Sequence, residues 1–187
     1  MSFLPDDYKV PAGTNNYMKF EQGENVFRVL SDAVTGWEWW TTEMREGKEY
    51  RKPNRVSEEG AVPVEEYDEE QPPKHFWAFV VWNYADKRVQ ILEITQKTIQ
   101  KAMRALSLSK GWGDPKGFDI SVTKTGDKLE TNYTIMPIPP ASLDKEVAKR
   151  YAAMTIDLEK LFVGEDPFKD DTVNVDEIAE AIEKGKK

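Results

Sequence analysis

The chain contains no cysteine. Disulfides, thiolate metal sites and cysteine nucleophiles are therefore excluded, which suits a reducing cytosol. Histidine is almost as scarce: His75 stands alone, so a Ser-His-Asp triad has one place to form, and no nucleophile elbow accompanies it. His75 opens a strand-like run and reads as a packing or surface residue. Gly111-Trp112-Gly113 does not continue into a phosphate-binding glycine motif. The acids Glu65-Glu66 and Asp68-Glu69-Glu70 sit among turn formers, and clustered loop carboxylates alone are weak evidence for Mg²⁺. No catalytic residue, metal or cofactor is expected, and the chain is not read as an enzyme. Long hydrophobic runs are missing too. The longest, Phe76 to Trp82, is far shorter than a membrane helix requires. The opening MSFLPDDYKV has neither a basic region nor an apolar stretch, so no signal peptide is expected and the location expected is cytoplasmic.

What is present is enough for one real core: 39% of the 187 residues are hydrophobic, which favours one domain with appendages. The net charge of −8 would argue against a polyanionic partner if it were evenly spread. It is not. Residues 57–70 carry seven acids and no base, residues 71–142 carry ten bases against six acids, and the residues after 142 hold twelve acids and eight bases. A basic middle is flanked by acidic segments, which also have the ordinary reading of solvated loops and faces.

Residues 1–22, with Pro5, Pro11, Gly13 and Asn15-Asn16, show no periodicity and are expected to form an arm. Regular structure is expected from about Asn25. Val26 to Leu30 is β-prone, and Trp37 to Thr42 is aromatic and β-branched, as strands prefer. Glu49 to Val56 extends this sheet, with Pro53 placing it at an edge or a strand end. The acidic stretch 57–73 reads as a long loop. His75 to Tyr84 and Lys87 to Thr95 form a hairpin, the first almost wholly apolar and the second alternating. Thr95 is placed as the N-cap of a helix whose Ile99, Met103 and Leu106 recur on one face and whose Lys97, Lys101 and Arg104 form a solvated face on another. Phe118 to Lys124 and Leu129 to Met136 supply two more strands.

Strands, a helix and two further strands between residues 23 and 142 fit a mainly β fold with α additions: a five-stranded OB barrel whose helix lies between strands 3 and 4. Residues 143–187 are expected as a helical, partly acidic extension. Val147, Tyr151, Met154, Leu158 and Leu161 predict one amphipathic helix over 143–162, which either docks on the barrel or pairs with another subunit. Asn174 and Glu177 predict a short last helix through Ile182.

Six tryptophans lie mostly in or beside these strands. Flat nucleobases stack on such rings without regard to sequence, and interleaved cations meet the phosphates between them. The residues that fit this chemistry are Arg28, Trp37, Trp39, Lys48, Tyr50, Arg51, Lys52, Arg55, Trp82, Tyr84 and Arg88, with 48–55 the best stretch. Each ring has the competing role of a core side chain. Alternation puts Trp39 and Trp40 on opposite faces, and likewise Trp77 and Trp82. Trp39 and Trp82 are taken as the stacking rings over Trp40 and Trp77, although the pattern does not say which face is inside.

The runs GENVFRVLSDAVTGWEWWT (23–41), KHFWAFVVWNYADKRVQILEITQKTIQKAM (74–103) and GWGDPKGFDISVTKTGDKLETNYTIMP (111–137) resemble the single-stranded DNA-binding proteins of tailed phages. The resemblance covers roughly residues 3–165 and is most specific at 74–103. It implies an OB fold, sequence-tolerant binding of single-stranded DNA, and a place in DNA replication, recombination and repair in the host cytoplasm. Many such proteins end in an acidic tip that recruits replication partners. Here the acids lie internally, in GEDPFKDD (164–171) and around Asp176-Glu177, while the last residues are Lys184-Gly185-Lys186-Lys187. Recruitment of replication or recombination proteins around Phe168, a plain linker there, and a homo-oligomer all stay open. The competing functions are a single-stranded RNA-binding OB protein, a carbohydrate-binding module, and a scaffold with no strand affinity.

Overall fold

The computed structural model describes residues 15–63 and 65–169. The chain divides into two compact units. Most of the predicted arm, residues 1–14, and the predicted helix at 174–182 lie outside the described residues.

The first unit combines the chain up to Asp32 with Phe79–Ser142. Its sheet is mixed and open, with strand order β1-β6-β5-β2-β7-β8. Strand β2 (Gly23–Val29) pairs antiparallel with the end of β5 (Lys74–Asn83) through Phe27–Asn83, Arg28–Trp82 and Val29–Val81. On its other side it pairs with β7 (Asp119–Thr125), which in turn pairs with β8 (Asn132–Pro137). Strand β6 (Arg88–Ile94) follows β5 across a tight turn in which Asn83 Oδ1 accepts from the Ala85 N–H at 3.0 Å. The predicted hairpin is thus present. β1 (Tyr17–Met18) lies within the segment expected to be an irregular arm and pairs in parallel with Ile91 and Leu92 of β6. Two residues are too short a run for periodicity to reveal.

Helix α1 (Lys97–Leu108) buries Ile99, Gln100 and Met103 and exposes Lys97, Lys101 and Arg104, as its sequence pattern requires. It is not capped by Thr95. Gln96 holds the cap position but its side chain accepts from Thr95 N at 3.2 Å and not from the helix, and Gln100 instead donates to the Ile94 carbonyl at 2.8 Å, tying the first turn to β6. Phe27, Ile91, Ile94, Ile99, Phe118, Ile120 and Val122 are completely enclosed and form the core of this unit.

The second unit combines Ala33–Ala78 with the chain after Leu143. Strand β3 (Val34–Arg45) pairs antiparallel with the first half of β5 over Val34–Glu38, and with β4 (Lys48–Val56) over Trp37–Arg45. Among the described residues strand β4 pairs with β3 alone, which is where Pro53, lacking an N–H, is tolerated. The predicted single helix over 143–162 is two shorter ones, α2 (Lys145–Ala152) and α3 (Lys160–Val163). Asp144 caps α2 by accepting from Glu146 N and Val147 N. Asp157 then does the same locally for Glu159 N at 3.0 Å, and such a side chain competes with continuous helix. Val147, Leu158 and Leu161 still point inward. Residues 164–169 are not a free linker: Pro167 is buried, its carbonyl accepts from Asp157 N at 2.9 Å, and Lys160 Nζ donates to the Lys169 carbonyl. Gly36 allows the close packing here, since a Cβ would press on the Val56 carbonyl and lie 2.8 Å from Phe162 Cε1.

Candidate nucleic-acid interface

Most of the expected binding residues are brought together by the β3–β4 hairpin of the second unit. Its turn is Glu46-Gly47, both with positive φ (49° and 77°), the conformation a tight two-residue hairpin needs. That turn sets the register Arg45–Lys48, Glu43–Tyr50, Thr42–Arg51, Thr41–Lys52, Trp40–Pro53 and Trp39–Asn54. Between residues 41 and 55 the hairpin holds five bases and three acids.

Alternation places Glu38, Trp40, Thr42 and Met44 on one side of β3, facing Arg55, Pro53, Arg51 and Glu49 of β4. Trp40 is 44% exposed. Its Nε1 donates to Glu38 Oε1 at 3.2 Å, and the Arg51 guanidinium sits 5.3 Å from its ring centre, in cation–π range. Arg51 also donates to Gln71 Oε1 at 2.9 Å. Arg55 is used differently. Its Nε and Nη2 hold Glu38 Oε2 at 2.9 and 2.8 Å, both partners are nearly buried, and the guanidinium lies over Phe76 at 5.6 Å.

On the other side, Asn54 Nδ2 donates to Thr41 Oγ1 at 2.9 Å, while Glu43 accepts from Arg45 at 2.7 Å and faces Lys52 at 3.5 Å. The hydrogen bond from Arg45, with the Lys52 charge, holds the Glu43 carboxyl below its ordinary pKa of 4.5. Lys48, Tyr50 and Met44 are exposed near the turn. Trp37 is half-buried, edge-on to His75 at 5.3 Å.

Three expected site residues are interior. Trp39 is 5% and Trp82 7% exposed, so neither ring presents a free face, and the choice of these two as the outward rings is corrected. Trp40, set aside in that choice, is the exposed ring of its pair; Trp77 is half-buried. Arg28 is enclosed in the first unit, where Nε meets Asp119 Oδ1 at 2.6 Å and Nη1 donates to the Ala141 carbonyl at 3.1 Å. It ties β2 to β7 and to the chain after β8, a structural duty that alternation alone did not reveal. Tyr84 is exposed but its hydroxyl donates to the same Asp119 carboxylate at 2.9 Å. Arg88 is exposed at the start of β6. Sequence reasoning passed over Met44 and Arg45; a two-residue step from Trp40 to Thr42 to Met44 was the available signal for the first.

No helix among the described residues is long and apolar enough to cross a membrane. No cluster of three or more potential metal ligands occurs among them. No protein-family model matches the chain, and no solved structure matches it. The chain is similar to a protein of Escherichia phage T5 described as a probable ssDNA-binding protein, with 26% identity over 68% of this chain and 58% of that protein. It therefore spans a little over half of that relative's length.

Proposed function

We propose that this chain binds single-stranded DNA without strong sequence preference, stacking bases on exposed rings and meeting phosphates with Lys and Arg. It does so without catalysis or cofactor, in the replication, recombination and repair of phage DNA in the host cytoplasm. The observation that carries this reading is the β3–β4 hairpin, which exposes Trp40 beside Arg51 on one side and Tyr50 with Lys48 and Lys52 on the other. Stacking rings interleaved with cations are what a sequence-tolerant strand binder needs. The similarity to a probable ssDNA-binding protein points the same way.

The strand order supports an OB-type fold. β2, β5 and β6, then α1, then β7 and β8 run in OB succession: β2 pairs with both β5 and β7, β5 neighbours β6, and β8 pairs with β7. In this reading those five are the barrel strands, and β3–β4 is a long insertion between the first two. That connection is one of the loops with which OB folds grip oligonucleotides. Its placement gives the exposed rings and cations a reason to be there.

Titration of intrinsic tryptophan fluorescence with single-stranded and duplex DNA at two salt concentrations tests the proposal. Quenching by the single strand alone, weaker in high salt, is expected. No response to either nucleic acid overturns it. Stronger binding of a matched RNA oligomer would transfer the function to RNA, since stacking is indifferent to the sugar.

A further inference from the structure

Trp39 Nε1 is buried and has no hydrogen-bond partner among the described residues. Native folds leave few such donors, because a buried N–H without an acceptor loses its hydration and gains nothing in return. The same ring borders a depression of about 190 Å³ between the Lys52–Arg55 stretch of β4 and α3 with its cap residue Gly164. Every residue around this depression belongs to the second unit.

The lining is part apolar and part polar. Pro53, Leu161 and Phe162 supply apolar walls. Arg55 is already committed to Glu38. Asn54 spends its amide nitrogen on Thr41 Oγ1 and on the Lys52 carbonyl, and its Oδ1 accepts no hydrogen bond among the described residues. Lys52 brings a half-exposed ammonium. The unspent groups are thus one indole donor and one amide acceptor beside apolar walls, with the Lys52 ammonium, shared with Glu43 across 3.5 Å, at the rim.

A bare phosphate would match the donor and the cation but not the acceptor or the apolar walls. A flat ring with a carbonyl next to an N–H matches all of them. Thymine and guanine carry that pair on their Watson–Crick edges, whereas adenine offers no carbonyl, and of the two that match, the single-ringed thymine demands less of the depression. We propose that this depression is a subsite for one unstacked thymine of a bound strand. In it Trp39 Nε1–H donates to a base carbonyl, Asn54 Oδ1 accepts from the ring N–H, and Lys52 meets the adjoining phosphate. The subsite rests on the strand-binding reading above and adds a local base preference to it. Elsewhere along the hairpin, stacking stays indifferent to the base.

The test compares oligo-dA with the same oligomer carrying one thymine, bound to the wild-type protein and to Trp39→Phe, which keeps a ring and deletes the N–H. The wild type is expected to gain affinity from the single thymine, and Trp39→Phe to lose that gain, a change of about tenfold for one hydrogen bond. Its affinity for plain oligo-dA should be unchanged. Replacing the thymine by 3-methylthymine, which has no ring N–H, should weaken wild-type binding as well. If Trp39→Phe does not fold, the indole N–H resonances of the wild type decide. One that moves with oligo-dT and stays with oligo-dA supports the subsite, and none behaving so overturns it. Strand binding with the same thymine gain in folded Trp39→Phe overturns the subsite alone. No binding of any single strand overturns the function on which it rests.

Discussion

Trp39 and Trp40, adjacent in the chain, finish on opposite sides of β3, the first 5% exposed and the second 44%. Trp40 offers a ring face for stacking, whereas the Trp39 ring packs in the interior and can reach a bound strand only through its indole N–H. Trp40→Ala should cost roughly 1–3 kcal/mol of affinity for single-stranded DNA, leaving thermal stability and the salt slope nearly intact. Trp39→Ala should destabilise the fold by roughly 3–5 kcal/mol. Fluorescence titration and thermal melts of both variants check this, and a reversed outcome would put the binding surface on the other side of the strand.

Arg51 and Lys52 are exposed, whereas Arg55 is held against Glu38 with both side chains nearly buried. Arg51→Ala and Lys52→Ala should each weaken binding to all sequences and lower the salt slope by about one. Arg55→Ala should act on the fold instead, because it leaves the nearly buried Glu38 carboxylate without its cation, at roughly 3–5 kcal/mol for a broken buried pair. Affinity measured across a salt series, beside denaturant melts, distinguishes the two behaviours.

Glu43 ties up Arg45 and Lys52, and its pKa is lowered from 4.5 by the hydrogen bond from Arg45 and the charge of Lys52. A lowered carboxylate contributes stability that is present above its unfolded pKa and is lost as pH falls through the folded value. The same protonation releases two cations toward phosphate. Strand affinity should therefore rise as pH drops below 4.5, and Glu43→Gln should remove that step. At neutral pH this variant should already bind more tightly, by at most about fivefold at low salt. Anisotropy titrations of both proteins between pH 3 and pH 7 test this.

Gly36→Ala forces a methyl group onto the Val56 carbonyl and the Phe162 ring. Backbone cannot yield as a flexible side chain would, so a loss of roughly 1–3 kcal/mol is expected. A denaturant melt reads it directly, and an unchanged midpoint would mean that β3, β4 and α3 pack less closely than described.

Patterning made the β5–β6 hairpin, α1 and the edge position of β4 legible, because each rests on local periodicity or on one proline. It did not reveal β1, whose two residues acquire meaning only beside Ile91 and Leu92. Nor did it separate the inward ring from the outward one on β3. Alternation divides the faces, but which face is covered depends on residues far away in the sequence. Arg28 misled for the same reason: its carboxylate partner, Asp119, is 91 residues distant. The helix expected over 143–162 stops at Ala152, Met154 of its expected apolar face is 39% exposed, and Asp157 turns the chain again before α3, none of which apolar spacing weighs.

Among the described residues strand β3 is braced by β5 from Val34 to Glu38 alone; beyond that, β3 and β4 pair with each other and with no other strand. A two-stranded ribbon is marginal by itself, so amides near Glu46 should exchange with solvent far sooner than those of the braced portion. Trp40, Tyr50 and Arg51 all ride on the compliant part. On the strand-binding reading proposed above, a grip mounted on such a spring would conform to purines and pyrimidines of unequal width, and indifference to base order would arise from mechanical softness as much as from the chemistry of its rings.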